Sequence, residues 1–282
     1  MLEQESRNLN QQPKIPQAAE LLAEVALPLY AVVLAAGRSK RMGGVYPKSA
    51  LKLAGKPIIT YIVENLNAAK ISLTGIIVVV GYGADIVKKV LHKSIKFNTP
   101  TRLDFAYQKQ PLGTAHALSI ALPLIKKREA DLLVMCGDTP FIRRETIGRL
   151  VKYHRDSNAH ITILTAELEE PSGYGRIIRD EKGKIVAIVE HKDATFKERA
   201  IKEVNSGLYI LRLSVILRYL EHIKPDNVQG EYYLTDLVRL AIKGGEKIVG
   251  FKIDNPLEIV GINSPVDFKK AEEIFLGKKL KS

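Results

Sequence analysis

The sequence predicts an α/β protein organised around an open, doubly wound and mostly parallel sheet. Short apolar, β-branched runs alternate with predicted helices through the first half of the 282 residues, which is the pattern of consecutive βαβ units. The loops that follow these runs contain glycine, at Gly37, Gly81–Gly83, Gly113 and Gly137. Ligands of such sheets bind beyond the carboxyl ends of the strands, so we expect the functional site at that edge.

The first half contains five predicted strands and the helices between them. The strands are the apolar runs Leu29–Leu34, Ile76–Val80, Leu103–Tyr107, Asp131–Cys136 and His160–Ala166. The helices are predicted over Pro57–Ala69, Ala84–His92, Thr114–Lys126 and Arg144–Asp156. Pro57 suits the first turn of a helix, because that turn makes no use of the N–H that proline lacks.

The second half predicts a β-rich lobe that continues the same sheet. Turn residues at Asp180–Gly183 separate two short runs, which indicates an antiparallel hairpin. The other predicted elements are strands Asn205–Leu211 and Ile248–Ile253, a helix ending at Gly244–Gly245 and a terminal helix over Pro265–Leu280. Residues 1–28, rich in Gln, Asn and Glu near their start, are predicted to be a poorly ordered tail, and residues 29–282 one domain.

The composition favours a cytoplasmic protein. The single cysteine, Cys136, excludes an intrachain disulfide and indicates a reducing compartment, and its apolar surroundings in the sequence predict a buried structural thiol. The net charge of +12 comes with no tryptophan and no recognisable nucleic-acid module, so we interpret it as a solvated surface. We therefore expect no nucleic-acid partner, and no membrane partner because no run reaches transmembrane length. Whether the chain forms a homo-oligomer is left open.

The loop after the first strand has the composition of a phosphate-binding loop. It reads LAAGRSKRM over Leu34–Met42 and is followed by Pro47-Lys48. A glycine loop brings backbone N–H groups close to phosphates, and Arg41 and Lys48 can neutralise phosphate charge. It is neither a Walker loop nor a dinucleotide GxGxxG fingerprint. Taken alone, it could also be a solvated basic turn.

Two further positions at the same edge carry side chains suited to nucleotide chemistry. Asp138 follows an apolar strand, where a carboxylate can hold Mg²⁺, although an aspartate there is often only a cap or turn residue. Gln108 follows the third strand, and its amide can donate to and accept from a uracil edge. The Gly113-Thr114 turn offers backbone N–H groups at a helix start, but an ordinary strand-to-helix loop is the alternative.

The loop pattern Ala-Ala-Gly-x-x-x-Arg-Met followed by Pro-Lys resembles the signature of the sugar-nucleotide pyrophosphorylases, which join a sugar 1-phosphate to a nucleoside triphosphate. The resemblance implies a Rossmann-like nucleotidyltransferase fold over residues 29–282. It implies that Arg41 and Lys48 are the catalytic pair and contact the triphosphate. The other nucleotide contacts that it implies are made by Leu34, Ala35, Ala36, Gly37, Gln108, Gly113 and Thr114. It also implies that Asp138 binds Mg²⁺ together with Asn263.

Later motifs narrow the resemblance to the uridylyltransferase half of the bifunctional enzymes that make UDP-N-acetylglucosamine. The motifs are Gly173–Ile177, Ile188–Ala194, Val204–Gly207 and Gln229–Asp236, and the match extends over about residues 29 to 268. It implies a sugar site formed by Gly175, Glu190, Asn205, Tyr233 and Thr235. The alternatives from the residues alone are a rim salt bridge for Glu190 and a turn position for Asn205.

The sequence departs from that family in three ways. The acetyltransferase domain that follows in the bifunctional enzymes is expected to be missing after Ser282. Pro111 stands where those enzymes commonly have a second glutamine, and Ser206 replaces the usual threonine. Either change could loosen base or sugar selection. His191 is not expected to be a base, because a phosphate nucleophile is already anionic.

The expected function is Mg²⁺-dependent uridylyl transfer from UTP to N-acetylglucosamine 1-phosphate. The same chemistry on glucose 1-phosphate, with a thymidylyl donor, or as cytidylyl transfer to a polyol phosphate is the nearest alternative. A regulatory homologue that binds sugar nucleotide without catalysis is a rival of another class. Arg41, Lys48, Asp138 and Asn263 are all present, which argues against it.

Overall fold

The computed structural model describes residues 26–37, 44, 46–97 and 101–277. Within them lie eleven strands: β1 Leu29–Leu34, β2 Lys52–Leu53, β3 Lys56–Pro57, β4 Leu73–Val80, β5 Arg102–Tyr107, β6 Asp131–Cys136, β7 Ile161–Glu167, β8 Arg176–Arg179, β9 Ile185–Val189, β10 Glu203–Arg212 and β11 Ile248–Ile253. The helices are α1 Ile58–Ala68, α2 Ala84–Ser94, α3 Thr114–Ala121, α4 Arg144–Asp156, α5 Phe196–Arg199, α6 Leu213–Tyr219, α7 Leu234–Lys243 and α8 Pro265–Phe275.

One mixed, nine-stranded sheet organises the fold, in the order β11-β7-β10-β6-β1-β4-β5, with the β8–β9 hairpin attached to β10. Pairs β6–β1, β1–β4, β4–β5 and β7–β11 are parallel, whereas β10 is antiparallel to both of its neighbours. The predicted α/β class and mostly parallel sheet are therefore confirmed. The β-rich elements of the second half join the same sheet, as expected.

Three sequence predictions need correction. The βαβ series does not run on unbroken to β7, because β10 is inserted between β6 and β7. The helix expected to reach Lys126 ends at Ala121 and continues as a 3-10 turn, since Pro123 has no N–H for the helical ladder. The terminal helix ends at Phe275, where Gly277 adopts a left-handed conformation with φ of +64°.

Helices on both faces bury the central strands. Along β1, Ala31 and Val33 belong to one apolar cluster and Tyr30 and Val32 to the cluster on the opposite face, as the two-residue period of a strand requires. Val32 and Val33 are fully buried. Burial on both faces explains why these strands read as continuous apolar runs rather than as alternating ones.

Close packing of loops at the carboxyl edge of β1, β4 and β6 explains two of the glycines. A Cβ on Gly137 would lie 2.8 Å from the Cβ of Ala35, and a Cβ on Gly81 would lie 2.8 Å from the carbonyl oxygen of Ala36. The backbone of Gly137 also donates to Leu34 O at 2.9 Å. Glycine at these positions lets three loops meet and form the floor of a cleft.

Candidate active site

Two clefts at the carboxyl edge of the sheet meet at Asp138. One has a volume of about 400 Å³ and lies over the loops after β1 and β5, and the other, of about 580 Å³, lies against β8, β9 and β10. The walls that they share are formed by Leu34, Thr114, Cys136 and Asp138. We name them the β1 cleft and the β10 cleft. Two adjoining clefts can hold two substrates with their reacting groups at the junction.

The β1 cleft contains most of the residues that the sequence assigns to nucleotide. Leu34, Ala35, Ala36 and Gly37 follow β1 directly and line it. A backbone hydrogen bond holds this segment against β4: Ala35 N donates to Val79 O at 2.9 Å. Gly37 is exposed, and no atom of the described residues lies within 4 Å of the position that a Cβ would take there. Arg41, the other predicted catalytic residue, lies outside the described residues.

Lys48 connects the predicted catalytic and metal-binding positions. It begins a 3-10 turn, and its Nζ donates to Asp138 Oδ2 and, at 2.9 Å, to Asn263 Oδ1. The side chains of Lys48 and Asp138 are only 19% and 18% exposed. A backbone bond from Ile262 N to Asp138 O at 3.0 Å joins the loops that carry the two acceptors. Residues far apart in the sequence thus form one polar centre between the clefts.

The oxygens around this centre fit a divalent cation. Asp138 Oδ2 and Asn263 Oδ1 already surround one positive group, the Lys48 ammonium. Carboxylate and amide oxygens are hard ligands of the kind that Mg²⁺ takes, and Mg²⁺ normally adds substrate phosphates to one or two protein carboxylates. The described residues contain no cluster of three His, Cys, Asp or Glu side chains suited to a metal.

Gln108 and the Gly113-Thr114 turn form the far wall of the β1 cleft. Gln108 is 5% exposed as a residue, and its Nε2 contacts His116 Nδ1 at 2.8 Å and Gly113 O at 3.3 Å. Gly113, with φ of +119°, packs on the backbone of Tyr232, and a Cβ there would lie 2.7 Å from Tyr232 N. The loop before α7 therefore holds the Gly113 turn in place.

Four of the five predicted sugar residues line the β10 cleft: Gly175, Glu190, Asn205 and Thr235. Thr235 Oγ1 donates to Glu190 Oε1 at 3.0 Å, and a Cβ on Gly175 would lie 3.4 Å from Glu190 Oε2. Asn205 Nδ2 donates to the Tyr209 hydroxyl at 2.6 Å, and Asn205 Oδ1 accepts from Gly207 N at 3.1 Å. The cleft thus presents a fixed carboxylate and a fixed amide.

Tyr233, the fifth predicted sugar residue, lines neither cleft. Burial raises the pKa of its hydroxyl to about 12, and the nearby carboxylates of Asp193 and Glu190 add to that shift. Burial also raises the pKa of Glu190, and Asp193 and Asp236 raise it further, whereas the Thr235 hydrogen bond lowers it. The assignment of Tyr233 to the sugar site therefore stays a prediction.

The structure shows the surroundings of three residues that the sequence analysis singled out: Ser206, Pro111 and Cys136. Ser206 Oγ donates to Leu164 O at 2.7 Å and accepts from Leu208 N at 3.1 Å, so its hydroxyl is used within β10. Pro111 lines the β1 cleft, where it offers no side-chain donor. Burial raises the pKa of the Cys136 thiol to about 12, which disfavours the nucleophilic thiolate and supports a structural role.

Sequence reasoning missed two carboxylates in these walls. Glu231 lines the β1 cleft, and its motif gave no sign of which side chain would face a ligand. Asp267 lines the β10 cleft and accepts from Asn263 N at 3.0 Å, while its own N–H donates to Ser264 Oγ. The Ser-x-x-Asp spacing at the start of α8 is a helix-capping signal that could have indicated how Asn263 is held.

No helix within the described ranges has both the length and the apolar character needed to cross a membrane.

The chain matches the nucleotidyl transferase family model over residues 30–255. It is 41% identical to the bifunctional protein GlmU of Pelotomaculum thermopropionicum over 247 residues, which are 88% of this chain and 52% of that protein. It is 43% identical to bifunctional GlmU of Caldanaerobacter subterraneus subsp. tengcongensis over 249 residues, 87% of this chain and 51% of that protein. The chain thus spans about half the length of these relatives.

The fold agrees with this sequence comparison. A crystal structure of UDP-glucose pyrophosphorylase complexed with UDP-glucose superposes with a TM-score of 0.73 at 20% identity, covering 89% of this chain and 99% of that one. At 20% identity, this likeness shows that the two proteins share a fold and shows nothing more. The match of the family model over residues 30–255 establishes that the chain belongs to the nucleotidyl transferase family.

Proposed function

We propose that this protein transfers a uridylyl group from UTP to N-acetylglucosamine 1-phosphate, giving UDP-N-acetylglucosamine and pyrophosphate. The observation that carries the proposal is the polar centre of Lys48, Asp138 and Asn263 at the junction of the two clefts. UTP would occupy the β1 cleft and the sugar phosphate the β10 cleft. The choice of uridine and of the acetylated sugar rests on the motif resemblance and on the GlmU relatives.

The geometry supports catalysis by positioning and charge neutralisation. A phosphate oxygen of the sugar attacks the α-phosphorus of UTP, forming a new P–O bond while the bond to pyrophosphate breaks. Lys48 neutralises charge on the phosphates, and Glu190 accepts from sugar hydroxyls. No general base is needed, because the nucleophile is anionic. Arg41, assigned to the same phosphates, lies outside the described residues and its role stays a prediction.

Asp138 and Asn263 would hold Mg²⁺ in this scheme. When bound, the ion supplies charge neutralisation on the phosphates that complete its coordination. The contribution of the protein is to keep a carboxylate and an amide oxygen close together between the clefts, and the hydrogen bond that Asn263 N donates to Asp267 Oδ2 helps to do so.

Pyrophosphate release from UTP with Mg²⁺ tests the proposal, with N-acetylglucosamine 1-phosphate and glucose 1-phosphate in parallel. A strong preference for the acetylated sugar is expected. Equal release would indicate broad sugar specificity, and preference for another triphosphate would indicate one of the related transfer reactions. Folded protein that binds UDP-sugar but releases no pyrophosphate with any triphosphate would favour a sugar-nucleotide sensor.

A further inference from the structure

Two segments that are distant in the sequence run side by side between the clefts. One is the glycine turn before α3, and the other is the loop before α7. Tyr232 N donates to Leu112 O at 2.8 Å, and Ala115 N donates to Tyr232 O at 2.9 Å. A side chain continues this pairing, because Thr114 Oγ1 accepts from Leu234 N at 2.9 Å. These three hydrogen bonds join the nucleotide side of the site to the sugar side.

The hydroxyl of Thr114 supplies the cap that α7 lacks. The first N–H groups of a helix have no acceptor within the helix, and a side-chain oxygen of the N-cap residue commonly accepts from one of them. Tyr233 holds the N-cap position of α7 and makes no such bond. Thr114, which lies 120 residues before Leu234, provides the oxygen instead. Leu234 is only 3% exposed, so water is a poor replacement for this acceptor.

The capped turn of α7 carries a contact of the candidate sugar site. Thr235, the second residue of α7, donates through Oγ1 to Glu190 Oε1 at 3.0 Å. Thr235 and Glu190 both line the β10 cleft, whereas Thr114 lines both clefts. A path of adjacent contacts therefore leads from the wall of the β1 cleft, through the start of α7, to the carboxylate of the β10 cleft.

We propose that Thr114 is a positioning residue for the sugar, whose hydroxyl fixes the first turn of α7 and thereby holds the Thr235–Glu190 pair in place. This inference rests on the proposed function, in which the β10 cleft takes the sugar. It gives the side chain of Thr114 a different role from the nucleotide contact that the motif implies. The groups of this turn that suit a nucleotide are the backbone N–H groups at the start of α3.

Thr114→Val and Thr114→Ser separate the hydroxyl from the rest of the side chain. Valine has nearly the shape of threonine but offers no acceptor to Leu234 N, whereas serine keeps the acceptor and loses only a methyl group. Neither change removes the two backbone bonds of Tyr232, so the two segments stay paired in both variants. A difference between the variants therefore reports on the hydroxyl.

Calorimetric Kd values of UDP and UDP-N-acetylglucosamine measure the contribution of the sugar without any turnover, because the second ligand adds only the sugar to the first. In Thr114→Val the preference for UDP-N-acetylglucosamine over UDP should fall about five-fold, the typical effect of a lost helix cap, while the Kd of UDP changes little. Thr114→Ser should keep the preference of the wild type. If the hydroxyl acts on the nucleotide itself, Thr114→Val weakens both ligands equally, and the unchanged preference would overturn the proposal.

Thr235→Val tests whether the effect passes through α7. This substitution removes the hydrogen bond to Glu190, and together with Thr114→Val it forms a double-mutant cycle on the same ligand preference. If Thr114 acts through Thr235, the second substitution should add little to the effect of the first. Losses that add in full would overturn the proposal.

Amide hydrogen exchange of the ligand-free protein tests the cap independently of the proposed function. The N–H of Leu234 should exchange about five-fold faster or more in Thr114→Val than in the wild type or in Thr114→Ser. Equal exchange rates in the three proteins would overturn the proposal. Failure of the proposed function gives a different result, because the wild type itself would then show no uridylyl transfer or would bind UDP-N-acetylglucosamine no more tightly than UDP.

Discussion

Replacing Lys48 by methionine should make the nucleotide-free protein bind a divalent cation more tightly. Lys48 Nζ donates to the two oxygens that are candidates for the metal, Asp138 Oδ2 and Asn263 Oδ1. A metal ion and an ammonium repel each other at the same pair of oxygens, so metal binding must displace Lys48. Methionine keeps the unbranched apolar stem and removes the charge.

The expected gain follows from the burial of the pair. The side chains of Lys48 and Asp138 are 19% and 18% exposed, so the contact is better shielded than a surface ion pair. A hydrogen bond to a charged group in such surroundings contributes roughly 1.5–3 kcal/mol. Removing that competition predicts metal binding that is tighter by about ten- to hundred-fold.

Electron paramagnetic resonance of free Mn²⁺ measures this affinity without any turnover. Lys52→Met is the matched control, because Lys52 is an exposed lysine on β2 and should leave the affinity unchanged. With UTP bound, the gain in Lys48→Met should shrink, because under the proposed function Lys48 of the wild type then has phosphate as its partner. An affinity in Lys48→Met equal to or weaker than that of the wild type would refute the competition.

Three other substitutions test the site and its support. Asp138→Ala should abolish turnover but leave the protein folded, because it removes no core volume and loses only the Lys48 contact, roughly 1.5–3 kcal/mol; turnover at the wild-type rate would contradict the assignment of Asp138 to the metal site. Burial raises the pKa of Glu190 above its ordinary 4.5, so the contribution of this residue to wild-type stability is lost as the pH rises through the raised pKa. The Tm of Glu190→Gln should therefore rise relative to that of the wild type between about pH 4 and pH 8. Equal pH profiles of Tm in the two proteins would contradict this. Gly113→Ala should lower the free energy of unfolding by about 2 kcal/mol or more, because Gly113 has φ of +119° and a Cβ there would clash with Tyr232. Gly148→Ala in α4 is the control, and it should leave the free energy of unfolding unchanged or raise it by up to about 1 kcal/mol. Similar melting temperatures for the two variants would argue against a strained turn at Gly113.

The central strands could be predicted from the sequence because burial on both faces gives them a local signature. The predicted bounds of Leu29–Leu34, Asp131–Cys136 and Ile248–Ile253 agree with β1, β6 and β11. The edge at which the glycine loops meet followed from the parallel arrangement. These properties depend on neighbours in the chain and on the period of apolar residues, both of which are visible in a sequence.

Partners across long sequence separations could not be predicted in this way. The Lys48 contacts span 90 residues to Asp138 and 215 to Asn263, and no local pattern encodes them. The motif resemblance placed these residues in one site, but it did not indicate that the ammonium bridges both acceptors. The contact of Gln108 with His116 is local in the sequence. Gln108 also contacts the Gly113 carbonyl, and the turn that carries this carbonyl is held by Tyr232, which lies in a distant loop.

The antiparallel strand β10 explains why the two clefts adjoin. In a purely parallel sheet, every residue at the ligand edge follows a strand, but β10 runs in the opposite direction and brings its beginning to that edge. Asn205 lies near this beginning, and the chain bulges between Asn205 and Tyr209, where Gly207 adopts φ of +76°. The bulge packs on the end of β6, since a Cβ on Gly207 would lie 3.1 Å from Cys136 Sγ. The candidate sugar residues therefore lie beside Asp138, and a donor after β1 and an acceptor over β10 would meet there without any movement of the sheet.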